Sequence, residues 1–441
     1  MSALAVRCRG CGAVPRIGDP YGWSCPERTP GDGIDHVMVR HVELAGLSLV
    51  TSESENPFVR YRGLLSSYHR WRDAGRDDAS FVALVEELDA AVAAVDGHGL
   101  RRTPLARHDP LDAATGMRVW VKDETGNVAG SHKGRHLFGL IVTLRVLERL
   151  GLLSREQAGA PLAIASCGNA ALAAAVVAAA AGRRLEVFIP TDADPVVVAR
   201  LGELGASTTV CDRDAVPIGD PCYRRFLDAV AAGAVPFGCQ GPDNGLTIEG
   251  GATLGWELAE SLADAGTVLD RLVVQVGGGA LASACLQGLE EAVGLGVLDA
   301  LPVFDTVQTA GAAPLARAHR LIADRIGGGM SPGDALGDAA AYRSRYMWPW
   351  ETVPASVAHG ILDDETYDWL AVLRGMIETG GSSVVASEDV LREANDLARR
   401  ATGIPVDHTG SAGLAGLLVA ARAGIVAPGS AVAVVFSGRA R

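Results

Sequence analysis

One lysine in this sequence is placed where an amine can act as a nucleophile. Lys133 follows an apolar run at 119–121, which is typical of a strand, and a turn-rich segment that ends at Gly130. Apolar residues then recur at helical spacing, which predicts a helix over 132–150 with Ser131 as its N-cap. Lys133 would lie in the first turn, where the helix dipole disfavours an ammonium charge, and a neutral amine can attack a carbonyl. The alternative is a solvated surface lysine, and this segment alone does not decide between the two.

Three further segments stand where a predicted strand ends and a loop begins. They are Ser-Cys-Gly-Asn at 166–169, three successive glycines at 277–279, and Ser-Gly-Arg at 437–439. Loops of this kind at helix N-termini present backbone N–H groups to anions. The glycine run lacks the Lys-Ser/Thr of a nucleotide-binding P-loop and the spacing of a dinucleotide fingerprint. A glycine run alone is a weak signal of a phosphate site, and it becomes a strong one here because it lies between a predicted buried strand and a helix, downstream of the lysine segment.

Taken in order along the chain, these segments resemble one family of enzymes. Gly130-Ser131-His132-Lys133, the segment at 166–169, the glycines at 277–279 and Ser437-Gly438-Arg439 resemble the fold type II pyridoxal-phosphate enzymes. That group contains tryptophan synthase β-subunits, threonine synthases and serine/threonine dehydratases. The resemblance extends from about Asn56 to the end of the sequence. It implies an α/β fold with two parallel-sheet, three-layer domains and an active site between them.

The resemblance also implies how the cofactor would be held. Lys133 would be the catalytic residue and would carry pyridoxal 5′-phosphate as a Schiff base, and Asn169 would bond the 3′-oxygen. Ser437 would meet the pyridine nitrogen. Such a neutral partner makes the ring a weaker electron sink than an aspartate does, which suits reactions that expel a β-substituent. The phosphate would be bound by Gly277, Gly278, Gly279 and His132.

The expected reaction is a β-elimination, of the ammonia-lyase or dehydratase kind, or a β-replacement. It would act on a serine- or threonine-like amino acid through an aminoacrylate, with the substrate carboxylate held by Ser166, Cys167, Gly168 and Asn169. A threonine synthase-type β,γ-replacement is the second interpretation. A catalytically silent binding or regulatory subunit is the third, and it is disfavoured because the lysine, the asparagine and the glycine loop are all present. The sequence leaves open the amino acid, the leaving group and any second nucleophilic substrate.

The N-terminus contains a possible metal site. Cys8 and Cys11 form a CxxC knuckle, and Cys25 begins what resembles a second one. A zinc ribbon needs four ligands, but the position expected for the last cysteine is Arg28. His36 is a distant candidate for the fourth ligand at a spacing that is not diagnostic. An incomplete, metal-free knuckle is therefore preferred over bound zinc.

The composition is that of an ordinary globular protein. The 441 residues carry a formal net charge of −13, and 48% are hydrophobic and 21% charged. The negative charge disfavours a nucleic-acid partner. The N-terminus lacks the apolar core of a signal peptide, and the most apolar segment, 170–181, is too short to span a bilayer. We therefore expect a cytoplasmic protein without membrane contact.

The family resemblance further implies the organisation of the chain. An N-terminal cysteine knuckle would occupy 1–36. A large cofactor-binding domain would be formed by 37–124 together with 239–441. A small mobile domain at 125–238 would be inserted between those two parts, and the protein is expected to form a homodimer.

Overall fold

The structure is a computed structural model that describes residues 4–29, 31–212 and 219–441. The segment 213–218, part of the predicted small domain, lies outside the described residues. Within the described ranges, no helix is both long enough and apolar enough to cross a bilayer.

Strands and helices alternate along most of the described chain. The strands are β1 Leu4–Cys8, β2 Met38–Val42, β3 Leu105–Arg107, β4 Arg118–Asp123, β5 Leu162–Ala165, β6 Leu185–Pro190, β7 Ser207–Cys211, β8 Val235–Pro236, β9 Arg271–Gln275, β10 Val303–Thr309, β11 Ser383–Ala386 and β12 Ala431–Phe436. The strand predicted at 119–121 is β4. This alternation is typical of parallel sheets with helical crossovers.

The helices supply the layers that cover these strands. They are α1 Pro57–Arg60, α2 Ser66–Asp73, α3 Asp78–Asp96, α4 Asp109–Thr115, α5 Lys133–Arg149, α6 Arg155–Gly159, α7 Asn169–Ala180, α8 Pro195–Glu203, α9 Pro221–Ala231, α10 Thr247–Asp264, α11 Ala280–Gly294, α12 Pro314–Gly327, α13 Pro332–Ala341, α14 Trp369–Thr379, α15 Glu388–Thr402 and α16 Ala412–Arg422. Short 3-10 helices lie at 62–64, 128–130, 343–345 and 359–361.

Two parallel sheets form the framework. The larger has the order β11-β10-β9-β12-β4-β3, in which only β3 runs antiparallel to its neighbour. The smaller has the order β7-β6-β5-β8 and is parallel throughout. Every residue of β12 is buried, as expected of a strand covered by helices on both faces. The predicted α/β architecture with two parallel sheets is confirmed.

Close helix packing joins the two sheets into one hydrophobic core. Helix α5 packs against both α10 and α7, and apolar residues of both sheets belong to the same buried cluster. The approach of α10 to α11 depends on small residues. A Cβ added to Gly255 would lie 2.9 Å from the Cα of Gly288, so alanine there would push the helices apart. This packing fixes the helix that begins at Lys133.

The prediction that Ser131 caps this helix is wrong. Helix α5 begins at Lys133 with His132 at its N-cap position. Ser131 is instead extended and forms an isolated antiparallel bridge with Gly438, and its hydroxyl bonds no described residue. Strand-like pairing with the segment after β12 takes precedence over the local capping preference of serine.

Candidate active site

The carboxyl ends of three adjacent strands bring the predicted segments together. Strands β9, β12 and β4 lie side by side, and they lead into the glycine run, Ser437 and the loop before Lys133 respectively. The His132 backbone N–H donates to the Ser437 carbonyl over 3.0 Å, and Ser131 bridges Gly438. The Lys133 segment is therefore fixed to the end of β12 by backbone contacts.

The Ser437 hydroxyl is oriented from behind by a buried glutamine. Gln275, the last residue of β9, donates from Nε2 to Ser437 Oγ over 2.7 Å. The same amide lies 3.0 Å from the Gly410 carbonyl and 3.1 Å from the Val435 carbonyl. Because Oγ accepts this hydrogen bond, the hydroxyl proton is free to be donated elsewhere.

The loop at 166–169 also approaches the segment that follows β12. Asn169 is the first residue of α7, and a Cβ added to Gly438 would lie 2.5 Å from its Nδ2. Arg441 donates from Nη1 to Asn169 Oδ1 over 2.6 Å and from Nη2 to the Ala129 carbonyl over 2.8 Å. The amide nitrogen of Asn169 thus remains a donor that faces the Ser437 segment.

The rest of this loop is half-buried and neutral. Ser166, Cys167 and Gly168 precede the N-terminus of α7, where free N–H groups favour an anion. Burial raises the pKa of the Cys167 thiol to about 11, so the side chain is not a thiolate near neutral pH. The loop is suited to binding a carboxylate rather than to nucleophilic attack.

A side chain is disfavoured at each of the three positions of the glycine run. A Cβ added to Gly277 would lie 2.8 Å from the Cα of Ile361, and one on Gly278 would lie 2.9 Å from the ring of Tyr367. Gly279 adopts φ +94°, in the left-handed region that favours glycine. Its position before Ala280 places the run at the N-terminus of α11.

Two hydrogen bonds hold the carbonyl groups of this run. The Thr366 hydroxyl donates to the Gly277 carbonyl over 2.9 Å. The Asp368 backbone N–H donates to the Gly278 carbonyl over 3.0 Å. With these carbonyls engaged, the N–H groups at the start of α11 are the polar groups that face an anion, and the Asp363 carboxyl already accepts from one of them, that of Gly278.

His132 contributes a buried, neutral ring. Its Nδ1 lies 3.2 Å from the Ser437 carbonyl, while Nε2 is buried and has no partner among the described residues. Burial, together with the charge of Lys133, lowers the pKa of His132 to about 3. A neutral ring donates from Nδ1 to that carbonyl, so Nε2 is an acceptor that awaits a ligand proton.

Two aspartates that the sequence did not single out interact electrostatically with Lys133. Asp363 is half-buried, and burial raises its pKa to about 6 against the opposing effect of Lys133. Asp368 is buried, and burial likewise raises its pKa to about 7, although Arg9 and Lys133 oppose the shift. The Gly241 backbone approaches Asp368 without forming a well-shaped hydrogen bond to its carboxylate. No motif surrounds either residue, so sequence reasoning offered no signal for them.

A fully buried ion network holds the start of α5. Arg135 donates to Glu124 over 2.8 Å and to Glu257 over 3.1 Å, and none of these side chains is exposed to solvent. Lys122 pairs with the same Glu257. Arg135 lies two residues after Lys133, so the network ties the lysine to the end of β4 and to α10.

The N-terminal cysteines form a separate cluster. The sulfur atoms of Cys8, Cys11 and Cys25 and one ring nitrogen of His36 all lie within 4.8 Å of one another. Arg28, at the position expected for a fourth cysteine, instead donates to Asp243 over 2.7 Å. The structure thus brings the three predicted cysteines together and adds His36 to them.

This fold and this arrangement of loops define a known class. A family model described as "Pyridoxal-phosphate dependent enzyme" matches residues 98–438. The chain therefore belongs to the pyridoxal-phosphate-dependent enzyme family.

Individual relatives refine the comparison. The chain is 27% identical to a threonine synthase of Mycobacterium bovis over 339 residues, which cover 76% of this chain and 80% of the relative. Among solved structures, maize serine racemase superposes with a TM-score of 0.57 at 19% identity, covering 81% of this chain and 92% of the racemase. The processed form of threonine deaminase isoform 2 from Solanum lycopersicum gives a TM-score of 0.57 at 16% identity, covering 83% of this chain and 91% of the deaminase. At these identities the two structures demonstrate the fold alone.

The residues of this chain fit the family cofactor. A phosphate needs an anion cradle, which the glycine run supplies at the N-terminus of α11. A pyridine nitrogen is an acceptor, and the Ser437 hydroxyl proton is free to be donated to it. A ring oxygen would suit the amide nitrogen of Asn169.

Proposed function

We propose that this protein catalyses a β-elimination or a β-replacement on a serine- or threonine-like amino acid with pyridoxal phosphate. One observation carries the proposal: a hydroxyl, that of Ser437, stands at the end of β12, and Gln275 holds it through a neutral hydrogen bond. No carboxylate is bonded to Ser437 within the described residues. A neutral partner favours a short-lived carbanion, which a departing β-substituent provides.

Each predicted residue has a role in this proposal. Pyridoxal phosphate, when bound, withdraws electrons from Cα of the amino acid and so makes its α-proton removable. Lys133 binds the cofactor through Nζ and, when released, takes the α-proton at the same atom. The loop at 166–169 orients the substrate carboxylate, and Asn169 also orients the cofactor ring. Gly277, Gly278 and Gly279 hold the phosphate through backbone N–H groups, and His132 joins them when its ring carries the proton on Nε2.

A threonine synthase-type β,γ-replacement is the second candidate. The observation in its favour is the similarity to threonine synthases over about three quarters of the chain. A silent binding subunit is the third, and the cradle around Lys133 gives no support to it. Product analysis separates all three.

The test uses the full chain with added pyridoxal phosphate. L-serine, L-threonine and O-phospho-L-homoserine are supplied singly, and keto acid, ammonia, threonine and phosphate are measured. The proposal expects keto acid and ammonia from L-serine or L-threonine, or consumption of one of them when a thiol or amine nucleophile is added. Threonine and phosphate from O-phospho-L-homoserine alone would establish the second candidate. No turnover of any amino acid by cofactor-loaded protein would favour the silent subunit.

We further propose a cytoplasmic homodimer in which 125–238 moves as a small domain. The family resemblance supports the dimer, and the sheet β7-β6-β5-β8 lies wholly inside that segment. Light scattering should give twice the 45.6 kDa chain mass. A monomeric mass would contradict the dimer.

A further inference from the structure

The ligand atoms of Cys8, Cys11, Cys25 and His36 lie within 4.8 Å of one another, and two of the distances between them suit a tetrahedral metal site. Cys8 Sγ lies 3.5 Å from His36 Nδ1, and Cys11 Sγ lies 3.5 Å from Cys25 Sγ. Zinc–sulfur bonds of about 2.3 Å and zinc–nitrogen bonds of about 2.0 Å place tetrahedral ligands roughly 3.5–3.8 Å apart. The sulfur–sulfur distance is also far beyond the roughly 2.05 Å of a disulfide.

The histidine is oriented by an outer carboxylate. His36 Nε2 lies 3.0 Å from Asp32 Oδ2, on the side of the ring away from Cys8. With Nε2–H donating to Asp32, Nδ1 carries the lone pair that a metal needs. Metal-bound histidines usually have such a partner on their second nitrogen. Thiols packed together for hydrophobic reasons alone would not require this arrangement.

The backbone around the cluster is shaped for close approach. The Cys8 carbonyl accepts from the Gly12 N–H over 2.9 Å, which closes the turn between the first two cysteines. A Cβ added to Gly10 would lie 2.4 Å from the Asp35 carbonyl oxygen, so this turn lies directly against the residue before His36. Cys8, Cys25 and His36 are buried, whereas Cys11 is exposed and gives an ion access.

From these contacts we propose that Cys8, Cys11, Cys25 and His36 bind a structural zinc ion, with Asp32 as the outer-sphere partner of His36. Three thiolates and one imidazole in a closed tetrahedron suit zinc and leave no position for a substrate. The preference for a metal-free knuckle depends on Arg28 in place of a fourth cysteine, and His36 supplies the missing ligand.

The metal would organise a segment that reaches towards the active site. Arg9 lies between the first two cysteines, and its side chain lines a small cavity together with Asp368. Asp368 in turn bonds the glycine run through its backbone N–H. Zinc would therefore stabilise the knuckle against the large domain, a role that is independent of which amino acid the enzyme uses.

Metal analysis of the full chain tests the proposal directly. Wild-type protein purified after growth with zinc should contain about one zinc per chain. Asp32→Asn should weaken zinc binding by about 10–100-fold in a chelator competition, because the outer-sphere bond to His36 is altered. Cys8→Ser and Cys25→Ser should lose the ion. Cys211→Ser removes a thiol outside the cluster and should retain the wild-type zinc content.

A cobalt titration of wild-type protein tests the proposal even where a variant fails to fold. Wild-type protein stripped of metal should develop thiolate-to-cobalt charge-transfer absorption and tetrahedral visible bands on addition of Co²⁺, and its thermal stability should rise with zinc. Wild-type protein that holds no zinc and gives no thiolate–cobalt spectrum would overturn the proposal. So would iron in place of zinc, or unchanged zinc affinity in Asp32→Asn, Cys8→Ser and Cys25→Ser together.

Discussion

At the scale of single residues, the candidate active site is formed by glycines and by neutral polar side chains. Gly277 lies where a side chain would meet Ile361, and Ser437 offers a hydroxyl that Gln275 leaves free to donate. His132 is kept neutral by burial. A dianionic phosphate in this setting would be bound by N–H groups and the helix dipole rather than by a fixed positive side chain.

The glycine run gives the first prediction. Gly277→Ala should weaken pyridoxal phosphate binding by about tenfold or more, because its Cβ would lie 2.8 Å from the Ile361 Cα and displace the loop. Gly333→Ala, with open space around the added Cβ, is the matched control. The affinity of each variant is measured by cofactor absorbance titration. Equal affinity for pyridoxal phosphate in the two variants would show that the glycine run does not form the phosphate site.

Asp363 gives a prediction about pH. A Cβ on Gly277 would lie 2.4 Å from Asp363 Oδ2, so this carboxyl faces the proposed phosphate cradle. Its pKa is raised to about 6 by burial, so the group is neutral below pH 6 and repels a phosphate above it. Asp363→Asn should therefore bind pyridoxal phosphate about tenfold more tightly than wild type at pH 8, and the two should converge near pH 5.

The control for this pH effect changes the same charge elsewhere. Asp299 lies in the exposed segment between α11 and β10. The variant Asp299→Asn should have the wild-type affinity for pyridoxal phosphate at every pH. The affinities of wild type and Asp363→Asn for pyridoxal phosphate could instead differ by the same factor at pH 5 and pH 8. That result would show that ionisation of Asp363 does not affect phosphate binding.

At the scale of elements, the buried network around Arg135 fixes α5 to the large sheet. Arg135→Met should destabilise the fold by about 3–5 kcal/mol, because Glu124 would lose its buried partner. Arg149→Met, at the other end of the same helix, breaks an exposed pair with Glu87 and should change the free energy of unfolding by less than about 1 kcal/mol. Urea unfolding of both variants measures the difference. Similar destabilisation by both would contradict a special role for the network.

The same network predicts a loss of stability in acid. Burial acts to raise the pKa of Glu124, but the charge and hydrogen bonds of Arg135, together with Lys122 and Thr103, outweigh it and lower that pKa to about 2. A depressed carboxyl pKa stabilises the folded state fully above the unfolded value of about 4.3, and this contribution is lost as pH falls from there towards 2. Wild-type unfolding free energies between pH 6 and pH 3 should therefore decline more steeply than those of Arg135→Met.

At the scale of the whole molecule, sequence pattern was enough for the framework and for the segments that meet at Lys133. Buried parallel strands are continuously apolar, and each predicted loop follows one of them, so β4, β9 and β12 had to deliver their loops to one edge. The prediction that Ser131 is a helix N-cap was wrong because its pairing with Gly438 connects residues about three hundred positions apart. Asp363, Asp368 and the approach of His36 to Cys8 are likewise long-range consequences of packing, for which local spacing gives no signal.

The proposed function depends on Lys133 as the residue that holds pyridoxal phosphate, and borohydride reduction identifies the lysine to which the cofactor is bound. Wild-type protein and Lys133→Ala are incubated with the cofactor, reduced with borohydride, digested and analysed by peptide mass spectrometry. We expect a phosphopyridoxyl group on the wild-type peptide that contains Lys133, and none at that position in the variant. Labelling of another lysine in the wild type, or no labelling of protein that is folded and saturated with cofactor, would contradict it.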